Sequence, residues 1–457
     1  MNNKILNIAN KDFFKRTATI AIPTTLQFLL GSSRNLVDTI MIGKLGVNEV
    51  AAVGASGKPF FIVLVLLMGI SSGAGILVAQ YWGNRDSRGV SKNIILSIVV
   101  SLLVATPLCA ILNIFAEQIV GFASEDGSVI ALGSGYLKII SFNLIFQSLN
   151  ITLYSGLRST DQASKCTSIT LVGVISNIVL NFILIFGLLG FPALGLIGAA
   201  FATLISCFIE MVLVLVVSLK FNKNFTLSIK VFLESTTKED IQKLLKVALP
   251  ISINGIVWSA GIYIYFLIYG RLGSSALAVM TLLGPIDTFG VSFFMGVASG
   301  SSILLGHALG GKEYDRAWYE SWIFLALGFL TGCILALSLF LFDKGYLSLF
   351  SSIDSATLET AEVVYRVFLL QLLCKSVNVT AILGILRSGG DTRFVLFLDM
   401  LTQWLVGIPL GLMGAFVWKL PLVWVFTLIL GEEIVKMLFA VRRIGKKKWL
   451  NNLIDAA

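Results

Sequence analysis

Histidine occurs once in 457 residues, at His307, and cysteine only five times, at Cys109, Cys166, Cys207, Cys333 and Cys374, never in a CxxC spacing. That scarcity argues against a Cys/His metal site and against a disulfide framework. Charge is also scarce: 13% of residues are Asp, Glu, Lys or Arg, against about 25% in soluble domains. No HExxH or DxxxD pair is embedded in an apolar run, and GISSG (69–73), which fits GxSxG, lies mid-run with no histidine near it in the sequence. With one imidazole there is little acid–base chemistry to call on, so an intramembrane enzyme is set aside. Neither a metal nor a cofactor is expected.

What is abundant is apolar: 56% of the residues are hydrophobic and the mean hydropathy is +0.91. The reading is an all-α polytopic membrane protein, whose length sets how many spans of roughly 20 residues fit. Twelve apolar runs fall near 16–40, 52–80, 93–116, 130–155, 164–188, 194–219, 244–268, 279–307, 318–342, 359–384, 393–417 and 420–440. The polar, basic start MNNKILNIANKDFFKR, with a long run behind it, reads as an uncleaved first span.

Lysine and arginine then orient the chain. A cytoplasmic N-terminus places Lys4, Lys11, Lys15, Arg16, Arg85, Arg88, Lys92, Arg158, Lys165, Lys312, Arg316, Arg387 and Arg393 inside. The six lysines from Lys220 to Lys246 and the tail RRIGKKK join them, twenty-four in all. Only Lys44, Lys58, Arg271, Lys344 and Lys419 fall outside. Both termini are therefore expected in the cytoplasm of a prokaryotic inner or plasma membrane. The formal charge of +9 follows from this distribution beside anionic lipid, and no nucleic-acid partner is expected.

The chain also repeats. At an offset of 227, Pro23 falls on Pro250, MIGKLG (41–46) on IYGRLG (268–273), and GISSGAGILVAQYWG (69–83) on GVASGSSILLGHALG (296–310). At 229, LRS (157–159) meets LRS (386–388) and Pro192 meets Pro421. Two six-span lobes of like topology follow, pseudo-symmetric about a central cleft: residues 1–220, a cytoplasmic loop at 221–243, and residues 244–457 with the basic tail. Repeats of this kind point to alternating-access transport.

VDTIMIGKLG, GISSGAGILVAQYWGNRD, LRSTDQ, NIVLNFILIFG, GFPALGLIGAAFAT and LRSGGDTRF together resemble the multidrug and toxic compound extrusion (MATE) family, in family order from about residue 15 to 440. The resemblance implies a monomeric antiporter that exports lipophilic organic cations against inward H⁺, the favoured ion, or Na⁺. The alternative is a lipid-linked precursor flippase of the same superfamily. Such proteins tend to have a strongly basic cavity, whereas few basic residues here lie within spans.

In proton-coupled members that resemble this chain, the carboxylate at the position of Asp38 is the protonation site. Arg34 lies four residues earlier on the same helix face, so an ion pair between the two is the competing reading. Such a pair would hold the carboxyl charged, making it a poor proton carrier. Asn177 and Asn181 share a face of the fifth span, and in the archaeal branch the position of Asn181 is an aspartate. These four residues are the ion-coupling candidates. Gln27, with its repeat mate Asn254, and Tyr265, the mate of Asp38, are substrate-site candidates. So are Trp258, Phe289 and Phe293, whose rings suit cation–π contact, and Asp287, whose competing reading is a local cap beside Pro285. Sodium-linked members carry a glutamate where this chain has Trp258 and an aspartate where it has Ser376. Lys375, next to Ser376, is read as snorkelling. Glu210, Asp399, Glu432 and Glu433 are read as structural, with partners.

Overall fold

The computed structural model describes residues 9–220, 226–342 and 355–455. Among these residues every regular element is helical, as a bilayer demands of a backbone that must satisfy its own hydrogen bonds. Lys4, Lys223 and Lys344, used above for orientation, lie outside the described residues.

In chain order the helices are α1 (Lys11–Gly43), α2 (Val47–Gly83), α3 (Ser87–Ile114), α4 (Ala116–Gly121), α5 (Gly127–Ile140), α6 (Asn143–Ser159), α7 (Ala163–Phe186) and α8 (Gly195–Lys220). There follow α9 (Ile229–Ser235), α10 (Lys238–Arg271), α11 (Ser274–Gly310), α12 (Tyr314–Leu341) and α13 (Ser355–Val379), which runs on through a π-helical stretch, Thr380–Leu386. Last come α14 (Thr392–Thr402), joined through π-helical turns to α15 (Ile408–Leu412), and α16 (Leu422–Gly445).

Among the described residues, nine helical segments are long and apolar enough to cross a membrane, and α5 with α6, bent by 44°, makes a tenth. α1 and α16 complete the twelve. The apolar run of α1 is diluted by Thr, Ser, Gln27, Arg34 and Asp38, and that of α16 by Glu432, Glu433 and Lys436. The helices overrun the expected spans, because polar first and last turns carry hydrophobic cores past the interface: the run read as 52–80 is helical over Val47–Gly83. Asp86 starts α3 by accepting the Gly89 N–H at 2.9 Å, and Gly187, at φ 73°, ends α7.

The chain forms two compact units, Leu26–Ser252 and Ile253 onward together with the residues before Leu26. The divisions fall inside α1 and α10 rather than in the loop expected at 221–243, which itself carries α9 and the start of α10. In the first unit, Leu67, Leu137 and Leu144 centre one core and Met41, Ile185 and Leu196 another. In the second, Phe294, Tyr365 and Phe426 are buried together.

The repeat is written in the backbone. Left-handed φ values recur at the same offsets: Gly46 with Gly273, Arg85 with Lys312, Asp161 with Gly390, and Gly190 with Lys419. So do the tight helix crossings. A Cβ on Gly69 would stand 2.6 Å from the Cα of Ser252, and one on Gly296 would stand 3.0 Å from the Cβ of Thr25, each residue 227 positions from its mate. The basic tail, used in the sequence only to orient the chain, is itself packed. Trp449 is fully buried, Asn452 donates to the carbonyl of Leu309 at 3.1 Å, and Asp455 pairs with Lys312.

Candidate functional site

In the first unit, α1 brings Arg34 and Asp38 against α7 and α8, but they do not pair with each other. The Arg34 guanidinium donates to Glu210 Oε1 at 2.8 Å, and the Tyr154 hydroxyl donates to Glu210 Oε2 at 3.3 Å. Their side chains are only 14% and 7% exposed for Arg34 and Glu210. The competing reading, an ion pair four residues apart, gives way to one between residues 176 positions apart in sequence. The long Arg34 side chain reaches the more deeply buried carboxylate.

Asp38 is left to amides. Asn181 Nδ2 donates to Asp38 Oδ1 at 2.5 Å and also lies 3.3 Å from Asn177 Oδ1. Asn177 in turn donates to Thr203 at 3.4 Å. Three of the four ion-coupling candidates, Asp38, Asn177 and Asn181, thus form one chain. The buried Oδ1 of Asn181 has no hydrogen-bond partner. Arg34, the fourth, stands beside that chain and outside it.

Gln27 belongs elsewhere. It donates to Thr170 at 3.1 Å and accepts from Arg158 at 3.2 Å, with no bond to the Asp38 chain. The second unit repeats this arrangement: Arg387 donates to Asn254 at 2.9 Å, and Asn254 donates to Asp399 at 2.8 Å. Arg158, Gln27 and Thr170 map onto Arg387, Asn254 and Asp399 by the offsets 229, 227 and 229. In the sequence the two LRS arginines serve as topology, repeat and family markers, with no site role assigned to them. Their occurrence at the same place in both halves was the available signal.

Tyr265, mate of Asp38, donates to Glu432 Oε2. Lys436 pairs with Glu432 at 2.9 Å and with Asp399 at 3.1 Å, while Asn378 donates to Glu433 at 2.6 Å. These carboxylates are partnered, as their sequence reading held. Asp287 is not a cap: Lys375 Nζ reaches both of its oxygens, at 2.6 and 2.8 Å, so Lys375 does not snorkel. Trp258 and Phe293 are exposed, at 43% and 39%, and Phe289 is half-buried. Among the described residues no three His, Cys, Asp or Glu side chains could hold a metal together.

The sequence model of the MatE family matches residues 23–183 and 250–413. An uncharacterized transporter, YisQ, of Bacillus subtilis is 25% identical over 97% of this chain and 96% of its own length. The probable multidrug resistance protein YoeA of the same organism is 26% identical over 95% and 94%. The multidrug resistance protein NorM of Aliivibrio fischeri is 25% identical over 87% and 85%. Among solved structures, a MATE protein in complex with MaL6 superposes with a TM-score of 0.88 at 20% identity, covering 97% of this chain and 99% of that one. A MOP superfamily transporter from Pyrococcus furiosus reaches 0.87 at 20% identity, over 97% and 98%. At these identities the structural likeness is one of fold.

Proposed function

The chain belongs to the MatE family and is a multi-pass membrane transporter, not an enzyme, and from that premise we propose that it is an ion-coupled antiporter exporting lipophilic organic cations. The favoured coupling ion is H⁺, with Na⁺ as the other possibility. The protein works by alternating access, as a monomer in a prokaryotic plasma membrane, with both termini cytoplasmic and its basic loops beside anionic lipid. Relatives named for multidrug resistance support the cargo class.

One observation carries the coupling reading: Asp38 is an intramembrane carboxylate whose hydrogen-bond partner is a neutral amide, while the nearby Arg34 is committed to Glu210. Ionisable groups inside a membrane are expensive and tend to mark ion pathways. Asn181 suits both states of Asp38. Its NH₂ donates to the carboxylate, and its free carbonyl oxygen can accept from the carboxylic acid once the amide turns. Loss of the proton creates a charge that can hold a cation, and its return releases that cation. The flippase reading loses ground, because Arg34, Lys375 and Lys436 each face a carboxylate and leave little positive field for a pyrophosphate.

The test is ethidium transport in proteoliposomes under an imposed pH gradient and, separately, a Na⁺ gradient, for wild type and Asp38→Asn. Transport driven by the pH gradient and lost in the variant is expected. Equal transport by both proteins would remove Asp38 from coupling.

A further inference from the structure

Among the described residues, three ionic groupings that join different helices lie within the spans, and they differ in access. Arg34 with Glu210 is 14% and 7% exposed, and Glu210 has Tyr154 as a second partner. Lys436 lies between Asp399 and Glu432, with exposures of 6%, 11% and 6%. Lys375 with Asp287 is open, at 19% and 36%, and among the described residues Asp287 has no hydrogen-bond partner but Lys375. Thirteen residues past Ser274, Asp287 sits about 20 Å along α11, a helix of about 55 Å crossing a hydrocarbon layer of about 30 Å. An open charge pair at that depth faces water or a ligand rather than lipid tails, because lipid would leave both charges unsolvated.

The linkage is also exchangeable. Lys375 extends from α13 on a flexible four-carbon stem and reaches both oxygens of one carboxylate on α11, as a compact point charge rather than a fixed planar fork. We propose that Asp287 is a binding carboxylate for the organic cation and that Lys375 is its built-in competitor, an ammonium that occupies the carboxylate when no cargo is bound. An arriving lipophilic cation takes the carboxylate and displaces Lys375, and on release the lysine returns. The unloaded site then never holds a bare negative charge, and every cargo cation must displace the same ammonium. This inference rests on the organic-cation reading above.

The experiment is equilibrium binding of ethidium to the purified full-length protein, together with its uptake into proteoliposomes. Lys375→Gln is expected to tighten ethidium binding about tenfold, because the competitor is gone. Asp287→Asn is expected to weaken it about tenfold. The double variant Asp287→Asn/Lys375→Gln leaves neither charge unpaired, so it is the control for folding. It is expected to keep the wild-type melting temperature and to bind as weakly as Asp287→Asn. If Lys375→Gln binds no more tightly than wild type, or the double variant binds as wild type does, the competitor idea is overturned while cation export stands. If wild type itself neither binds nor transports ethidium or tetraphenylphosphonium, the cargo class and this inference fall together.

Discussion

Arg34 and Asp38 sit one turn apart on α1, and their separate partners decide what each is for. Glu210 is buried and holds the guanidinium and the Tyr154 hydroxyl. Removing one member of such a pair strands a charge, at a cost of about 3–5 kcal/mol. Arg34→Met should therefore lower the melting temperature markedly in detergent, and Arg34→Met/Glu210→Gln should recover most of the loss. The double variant should still transport, because the Asp38 chain is intact in it. If the double variant is as unstable as the single, Arg34 and Glu210 do not offset each other. The spacing i,i+4 made an Arg34–Asp38 pair the competing reading. It fails because a side chain as long as arginine can choose among partners on other helices, and helix rotation is not written in local spacing. Asn177 and Asn181 were legible for the opposite reason: two short amides one turn apart have few places to point.

At the scale of the helix, close approach is set by glycine. A Cβ on Gly73 would meet the Ala248 backbone at 2.7 Å, whereas Gly54, on the same helix, has nothing within 4 Å. Gly73→Val should destabilise by about 1–3 kcal/mol through overpacking. Gly54→Ala should stabilise slightly, by at most about 1 kcal/mol, through helix propensity alone. Thermal unfolding of the two variants checks both, and equal effects would mean that the α2–α10 crossing is not tight. The sequence hid the packed tail at this scale. RRIGKKK reads as a solvated basic cluster, but Trp449 just beyond it is fully buried, and a buried tryptophan outside any span gives no periodic signal. Trp449→Ala should cost about 3–5 kcal/mol. A change within 0.5 kcal/mol would mean that the tail is undocked.

For the whole molecule, the twelve spans and the two halves were readable because hydropathy and repeat offset are properties of long stretches, insensitive to any one residue. The offsets of 227 and 229 reappear in the left-handed turns and in the Arg158–Gln27 and Arg387–Asn254 anchors. The position of the unit divisions, inside α1 and α10, was not readable, because it depends on which helices touch rather than on where loops lie. Within this repeated frame the halves carry different chemistry. The place of Asp38 in the first unit is held by Tyr265 in the second, where the hydroxyl is bonded to a carboxylate already paired with Lys436. The first unit thus places here a carboxylate hydrogen-bonded to an amide rather than to a cation, and this is the residue proposed to couple protons. The most direct test is the number of protons released when ethidium binds the purified protein in weakly buffered detergent solution. At a pH low enough that unloaded Asp38 is protonated, wild type should release about one proton per ethidium and Asp38→Asn none. The same release from both proteins would contradict proton coupling at Asp38.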